Sequence, residues 1–294
     1  MPAALPLYTV LPFAAMLLAI ALFPLWLPHW WESSRSKLVV AVVLGAPVLA
    51  LYLARDPAAL AHAAGDYVSF IILLAGLYVI SGGILLTGDL EATPRVNTAF
   101  LAAGTLLASL VGTTGASMLL IRPLLQTNRE RARVTHTVVF FIFLVSNIGG
   151  MLTPLGDPHL FLGYLQGVPF AWTLGLWGPW LTMTVSLLLL YYVWDTRHHA
   201  HETRAALLRD HTQIEPLRIR GALNGLWLAG VVAAVAFLHA PGRELAILAL
   251  AGISLWRTPN ALRRANQFTA APMLEVAATH LQAYEARRKR EKSS

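Results

Sequence analysis

The sequence predicts an all-α integral membrane protein, a polytopic helical bundle, and three observations predict it. Of the 294 residues 56% are apolar and 13% charged, where a soluble domain carries roughly a quarter charged residues. Mean hydropathy is +0.59. The apolar residues also come in runs of about twenty, the length a helix needs to cross ~30 Å of hydrocarbon. A disordered chain would show the reverse balance. There is no cysteine, which excludes disulfides, thiol catalysis and thiolate metal sites. The net charge of +7 sits between the apolar runs and near residue 294, so it reports membrane topology rather than nucleic-acid binding.

The elements follow in order. Pro6 to Pro28 is apolar, and the first basic residue is Arg35; the stretch lacks the charged start of a secretory signal and is too long for one, so it reads as a retained span. Lys37 to Ala54, Tyr67 to Leu86, Phe170 to Trp194 and Ala222 to His239 are further spans, and Leu245 to Trp256 is a short one. Trp26, Trp30, Trp31, Trp172, Trp177, Trp180, Trp194 and Trp256 cluster near span ends, as an interfacial aromatic belt requires.

Between residues 97 and 167 the pattern changes. Residues 97–127 hold two apolar stretches, 97–111 and 116–126, separated by Gly112-Thr113-Thr114-Gly115. At 1.5 Å per residue these are about 22 and 17 Å long, too short to span, and predict a re-entrant hairpin. Residues 134–167 read as one discontinuous helix, interrupted at Ser146-Asn147-Ile148-Gly149-Gly150 and Thr153-Pro154-Leu155-Gly156-Asp157-Pro158. Interrupted backbone is tolerated at membrane depth only where protein or a cavity surrounds it. Two breaks in succession therefore predict a polar site between them, with helix N-termini attracting anions and helix C-termini and unwound carbonyls coordinating cations.

Loop charge fits this arrangement. With the N-terminus outside, Arg35, Lys37, Arg95, Arg129, Arg131, Arg133, Arg197, Arg204, Arg209, Arg218 and Arg220 fall on the cytoplasmic side, and only Arg55 and Arg243 outside. This places a 195–220 loop and the C-terminus in the cytoplasm and the chain in the cell (inner) membrane.

The candidate residues come from the breaks. A carboxylate at membrane depth costs ~2.5 to 3.5 kcal/mol on insertion scales, so Asp157 needs a compensating role. Low dielectric would let it exchange a proton for a cation; Asp157-Pro158 also has the form of an N-cap followed by proline at the first helical position. Ser146, Asn147 and Thr153 supply hard oxygen ligands suited to sodium, or else bond across the bundle. Thr113, Thr114 and Ser117 carry the same argument at the hairpin tip. His159 could relay protons or simply pack. Arg122 either reaches toward the membrane surface or meets an anionic substrate or Asp157. His198, His199, His201 and His211 lie in a charged loop, where a solvated role outweighs a metal site.

The stretch SNIGGMLTPLGDP at Ser146 to Pro158, with GTTGAS at Gly112 to Ser117, resembles the ion-transporter superfamily, and within it NhaD-type sodium/proton antiporters, with citrate and arsenite carriers more distant. The resemblance covers roughly Lys37 to Glu275. It implies two inverted repeats, each with a re-entrant hairpin and a discontinuous helix, and a secondary transporter exchanging sodium for protons. On that view Asp157 would release a proton as sodium binds to Asp157, Asn147, Thr153 and the hairpin oxygens. The alternatives are a citrate or other anion carrier of the same superfamily and an inactive half-length fragment. One repeat is present, in a membrane domain 1–265, and residues 266–294 look like the opening of a second repeat followed by a basic tail. That predicts a truncated chain, or a half-size carrier that forms a homodimer. The expected partners are the lipid bilayer and a small ion, with no nucleic acid, resident cofactor or bound metal. An enzyme is not expected: an intramembrane aspartyl protease would need GxGD, and Pro154-Leu155-Gly156 precedes Asp157 without the first glycine.

Overall fold

The computed structural model describes residues 10–203, 215–266 and 268. It is an all-α membrane protein with one small addition, a two-stranded ribbon. Among the described residues four helical stretches are long and apolar enough to cross a membrane: Ser34–Arg55, Pro57–Ser81, Thr135–Leu152 and Phe170–His199. The described residues divide into two compact units, one up to residue 67 and one from residue 68 onward.

In the first unit, α1 (Leu11–Trp26) is followed by the short α2 (Pro28–Trp31), α3 (Ser34–Arg55) and the opening of α4 (Pro57–Ser81). Ser33 caps α3, its Oγ accepting from the Arg35 amide at 3.3 Å, which meets one of the orphan donors of a helix start. Phe23 packs edge-on against Trp30 and Trp31, with ring centroids 5.7 and 5.5 Å away. Val39, Val42, Val43 and Leu53 lie exposed along α3, the outward apolar surface expected of a helix in lipid.

In the second unit α4 ends at Ser81, short of the predicted Leu86, because Gly82 and Gly83 follow and the chain then leaves as β1 (Leu85–Asp89). β1 pairs antiparallel with β2 (Glu215–Arg220), Leu85 opposite Arg220 and Thr87 opposite Arg218, with an irregularity at Gly88. Gly88 has φ +136, and a Cβ there would lie 2.8 Å from Leu217 Cα. The unwound carbonyls beyond α4 are met from far along the chain. After α10 (Leu223–Phe237) and α11 (Gly242–Arg257), α12 (Asn260–Ala265) delivers Arg263, whose Nη1 donates to Val79 O at 2.6 Å. Asn266 Nδ2 donates to Gly82 O (3.1 Å) and Ile84 O (2.9 Å), and Asn224 Nδ2 to Gly83 O (3.0 Å). Burial lowers the Arg263 guanidinium from its ordinary value; the carbonyl ends of α4 and α11 supply the negative potential that holds it there.

The remaining elements are α5 (Pro94–Val111), α6 (Thr113–Thr127), α7 (Thr135–Leu144), α8 (Pro158–Leu165) and α9 (Trp177–His199), with 3-10 turns at Ile148–Leu152 and Phe170–Leu176. α5 starts at Pro94, three residues before the predicted position, because Thr93 caps it by accepting from the Val96 amide at 3.3 Å and proline suits the first helical turn. α6 includes the predicted turn residues Thr113 and Thr114 and runs through Pro123. The hairpin helices are thus 18 and 15 residues, about 27 and 22 Å.

Asp195 corrects the expected 195–220 loop. α9 continues to His199, so Asp195 falls one helical turn beyond the buried Tyr191 and is itself wholly buried. Residues 215–220 are strand rather than loop, and residues 204–214, with His211, lie outside the described residues. Arg131 Nη2 stands 2.7 Å from Asp195 Oδ1, and His136 Nε2 shares that oxygen at 2.8 Å. Asn97 and Asn128 exchange amide hydrogen bonds of 2.8 and 3.0 Å beside it, and Asn97 Nδ2 reaches Asp195 Oδ2 at 3.5 Å. This network joins α5, the segment after α6, α7 and α9 at the open end of the hairpin.

Removing one partner of a buried pair leaves an uncompensated charge. Arg131→Met is therefore expected to lower stability by about 3 to 5 kcal/mol, read as a lowered thermal unfolding midpoint of the purified chain in detergent. Arg131→Met with Asp195→Leu should recover much of that loss.

Candidate functional site

The site is built where the hairpin tip meets the interrupted helix. α5 ends at Val111 and α6 starts at Thr113, so Gly112 makes the whole turn. It does so at φ +81, a backbone that glycine adopts without penalty, and a Cβ there would lie 3.0 Å from Leu155 O. On the facing segment, Val145 to Asp157, the backbone folds onto itself: a Cβ on Gly150 would lie 2.6 Å from Gly156 O and 2.8 Å from Thr113 Cγ2. Two bare backbones and a hairpin tip therefore share space that no side chain could enter.

Hydrogen bonds across this contact hold the unwound chain. The Thr113 amide donates to Gly156 O at 3.2 Å. Ser109 Oγ donates to Gly149 O, and Thr153 Oγ1 donates to Ser109 O at 2.5 Å. Within the break the Gly150 amide donates to Asn147 O (3.1 Å) and the Gly156 amide to Thr153 O (3.0 Å). Ser117 Oγ and Ser146 Oγ lie 2.8 Å apart, half-buried, bridging α6 to the end of α7.

The structure thus brings together four of the predicted residues, Thr113, Ser117, Ser146 and Thr153. Asn147 and Thr114 are at the same place but exposed. Asp157 stands apart from the hydroxyl pair in its bonding. It caps α8, Oδ1 accepting from the His159 amide at 2.8 Å and lying 3.1 Å from the His159 ring nitrogen; the two side chains are 33% and 91% exposed. Arg122 turns away from Asp157, donating to Ala265 O at 3.2 Å and Asn266 Oδ1 at 3.3 Å. Among the described residues no group of three or more His, Asp or Glu is placed to hold a metal ion.

The electrostatics of the contact are set by helix ends. The first amides of α6, Thr114 and Gly115 among them, have no intrahelical carbonyl and carry the positive end of the dipole. α7 brings its carbonyl end to Val145 and Ser146. The serine pair bridges the two. Beside the tip is an apolar cleft of about 380 Å³, lined by Leu110, Gly115, Leu119, Leu228 and Val232; the hydroxyl of Ser81, which also lines it, is turned back to Leu77 O at 2.6 Å.

A family described as putative citrate transport matches residues 2–284. The chain belongs to that family. No curated protein and no solved structure matches it. Membership makes this multi-pass membrane protein a transporter, and the paired interruption is where its helices leave room for polar contacts.

Sequence reasoning missed three parts of the transporter. Ser109, whose hydroxyl and carbonyl both serve the break, looks like any small residue in an apolar helix. The Gly150–Gly156 contact joins two motifs that read separately as loose backbone. The Asp195 network was hidden because its members lie 98 residues apart at the widest; the signal available was one carboxylate at the end of the apolar run of α9.

Gly150→Ala is expected to cost about 1 to 3 kcal/mol, the usual penalty of forcing atoms into filled space, and to lower the thermal unfolding midpoint of the detergent-purified chain. Gly225→Ala, where a Cβ meets nothing within 4 Å, should leave it unchanged or raise it.

Proposed function

We propose that the chain carries a small carboxylate of the citrate type across the membrane, with a cation as the driving ion. The observation that carries this is the N-terminus of α6, with Thr113, Thr114 and Ser117, set against the unwound Ser146–Gly156 segment in a member of a putative citrate transport family. Helix N-termini present amides and a positive potential to oxyanions. The α6 amides and the Ser117 hydroxyl would hold one carboxylate group. Ser146 and the carbonyl end of α7 would take the cation, since oxygen donors of this kind suit sodium. Thr153 acts through Ser109, fixing the break rather than touching the guest. Exchange of the bound pair between the two faces would follow from movement of the hairpin against α7 and α8.

A second reading, sodium/proton exchange without a carboxylate, is favoured by the half-exposed Asp157 at the start of α8. Asp157 would then lose a proton as sodium enters and His159 would pass it to water. On either reading the bias of loop charge supports an N-terminus outside and residues 129–133 on the cytoplasmic side of the cell membrane.

Proteoliposomes decide between the readings. Radiolabelled citrate should accumulate when an inward sodium or proton gradient is imposed, and Ser117→Ala with Ser146→Ala should raise the KM for citrate about tenfold or more, the loss of a hydrogen bond to a charged group. Absence of citrate uptake, together with sodium-dependent dissipation of a pH gradient that Asp157→Asn abolishes, would overturn the carboxylate reading in favour of exchange.

A further inference from the structure

The first half of α9 carries two buried polar groups without a hydrogen-bond partner among the described residues. Trp180 is 7% exposed and Thr184 5%, and neither Trp180 Nε1 nor Thr184 Oγ1 has a hydrogen-bond partner. Elsewhere on the helix Thr182 Oγ1 donates to Gly178 O (3.0 Å), Thr196 Oγ1 to Tyr192 O (2.6 Å), and Trp194 Nε1 to His198 Nε2 (2.8 Å), while at its far end His199 Nδ1 is also without a partner among the described residues. Thr184 could have bonded back to its own helix in the same way and does not. Buried donors are almost always paired, so two orphans one turn apart on one helix face imply an occupant.

The register of the bundle puts that face at the break. Thr137 Oγ1 and Tyr191 Oη are 3.1 Å apart, and Asp195 bonds to His136 and Asn97, so α9 runs antiparallel to α5 and α7. Thr184 lies seven residues before Tyr191, and Leu144, where α7 ends, seven after Thr137; each offset is about 10 Å. By the same measure Thr184 is about 16 Å from Asp195 and Ala108 about 16 Å from Asn97, and a Cβ on Gly149 would lie 2.7 Å from Ala108 Cβ. Ahead of α9, Thr173 Oγ1 donates to Leu152 O at 3.0 Å. Thr184 and Trp180 are therefore level with the 145–152 segment, on the α9 side of the break.

The chemistry names the class of occupant. An indole N–H donates and never accepts, so Trp180 Nε1 cannot ligate a cation and calls for an acceptor oxygen; the Thr184 hydroxyl can donate to the same group. We propose that Trp180 and Thr184 form a second wall of the substrate site, donating to a carboxylate group of the transported anion on the side away from α6. This deepens the citrate reading and rests on it. A polycarboxylate would then be held at both ends, one group by α6 and the other by α9.

The test uses the full chain with ¹⁵N-labelled tryptophan indoles in detergent micelles, the Trp180 signal being assigned by its loss in Trp180→Phe. Citrate is titrated with sodium chloride as the control. The expected result is a citrate-dependent shift of the Trp180 indole resonance, absent with sodium chloride, and a Kd for citrate about tenfold weaker in Thr184→Val with the thermal midpoint no lower than that of the unaltered chain. If other resonances shift with citrate while Trp180 stays fixed, or if Trp180→Phe and Thr184→Val bind citrate as tightly as the unaltered chain, the α9 wall is overturned and the citrate reading stands. If no resonance moves with citrate, the citrate reading fails and the wall fails with it.

Discussion

A backbone amide or carbonyl that leaves the helix ladder inside a membrane protein must find its partner in the protein, because lipid offers none. The second unit meets that demand twice. At the end of α4 the carbonyls of Val79, Gly82, Gly83 and Ile84 are taken by Arg263, Asn266 and Asn224. Between α7 and α8 the groups of Gly149 and Gly156 are taken by Ser109 and Thr113. The two solutions differ in kind. The first uses long polar side chains that fill the space around the carbonyls, whereas the second uses short hydroxyls and another backbone, and so leaves the α6 N-terminus and the serine pair able to meet a guest.

This difference separates a structural break from a functional one. Around α4 the partners are buried and bonded to one another: Asn224 also binds Ser254 at 2.5 Å and Thr258 at 2.9 Å, and Arg263 binds Ser254 at 2.8 Å. Around the hairpin tip, Thr113 and Ser117 are only half-buried and Thr114 and Asn147 are exposed. A closed polar network adds rigidity, while an open one at a helix end retains the capacity to bind.

The class of the protein, the hairpin and the interrupted helix were legible because each is a local pattern: apolar runs of spanning length, then shorter ones punctuated by glycine, serine, threonine and proline. The break at Ser146 to Pro158 was legible to within a few residues for the same reason. What the sequence could not convey were pairings between distant segments. Asp195 reads as the polar end of a span until α9 is seen to carry it one turn further into the bundle. Leu85 to Asp89 reads as the tail of a helix until β2 arrives from residue 215 to pair with it. Asp157 was read in two guises, ion site and helix cap, and the geometry displays the cap, Oδ1 accepting from the His159 amide.

The distance along the chain between α4 and its partners bears on how the protein is made. Val79 and Arg263 are 184 residues apart, as are Gly82 and Asn266. A nascent chain leaving the ribosome therefore has α4, the hairpin and the interrupted helix in the bilayer long before the residues that close the end of α4 have been synthesised. Assembly of this unit finishes late, with α12 and Asn266 as the pieces that close the end of its earliest-made helix.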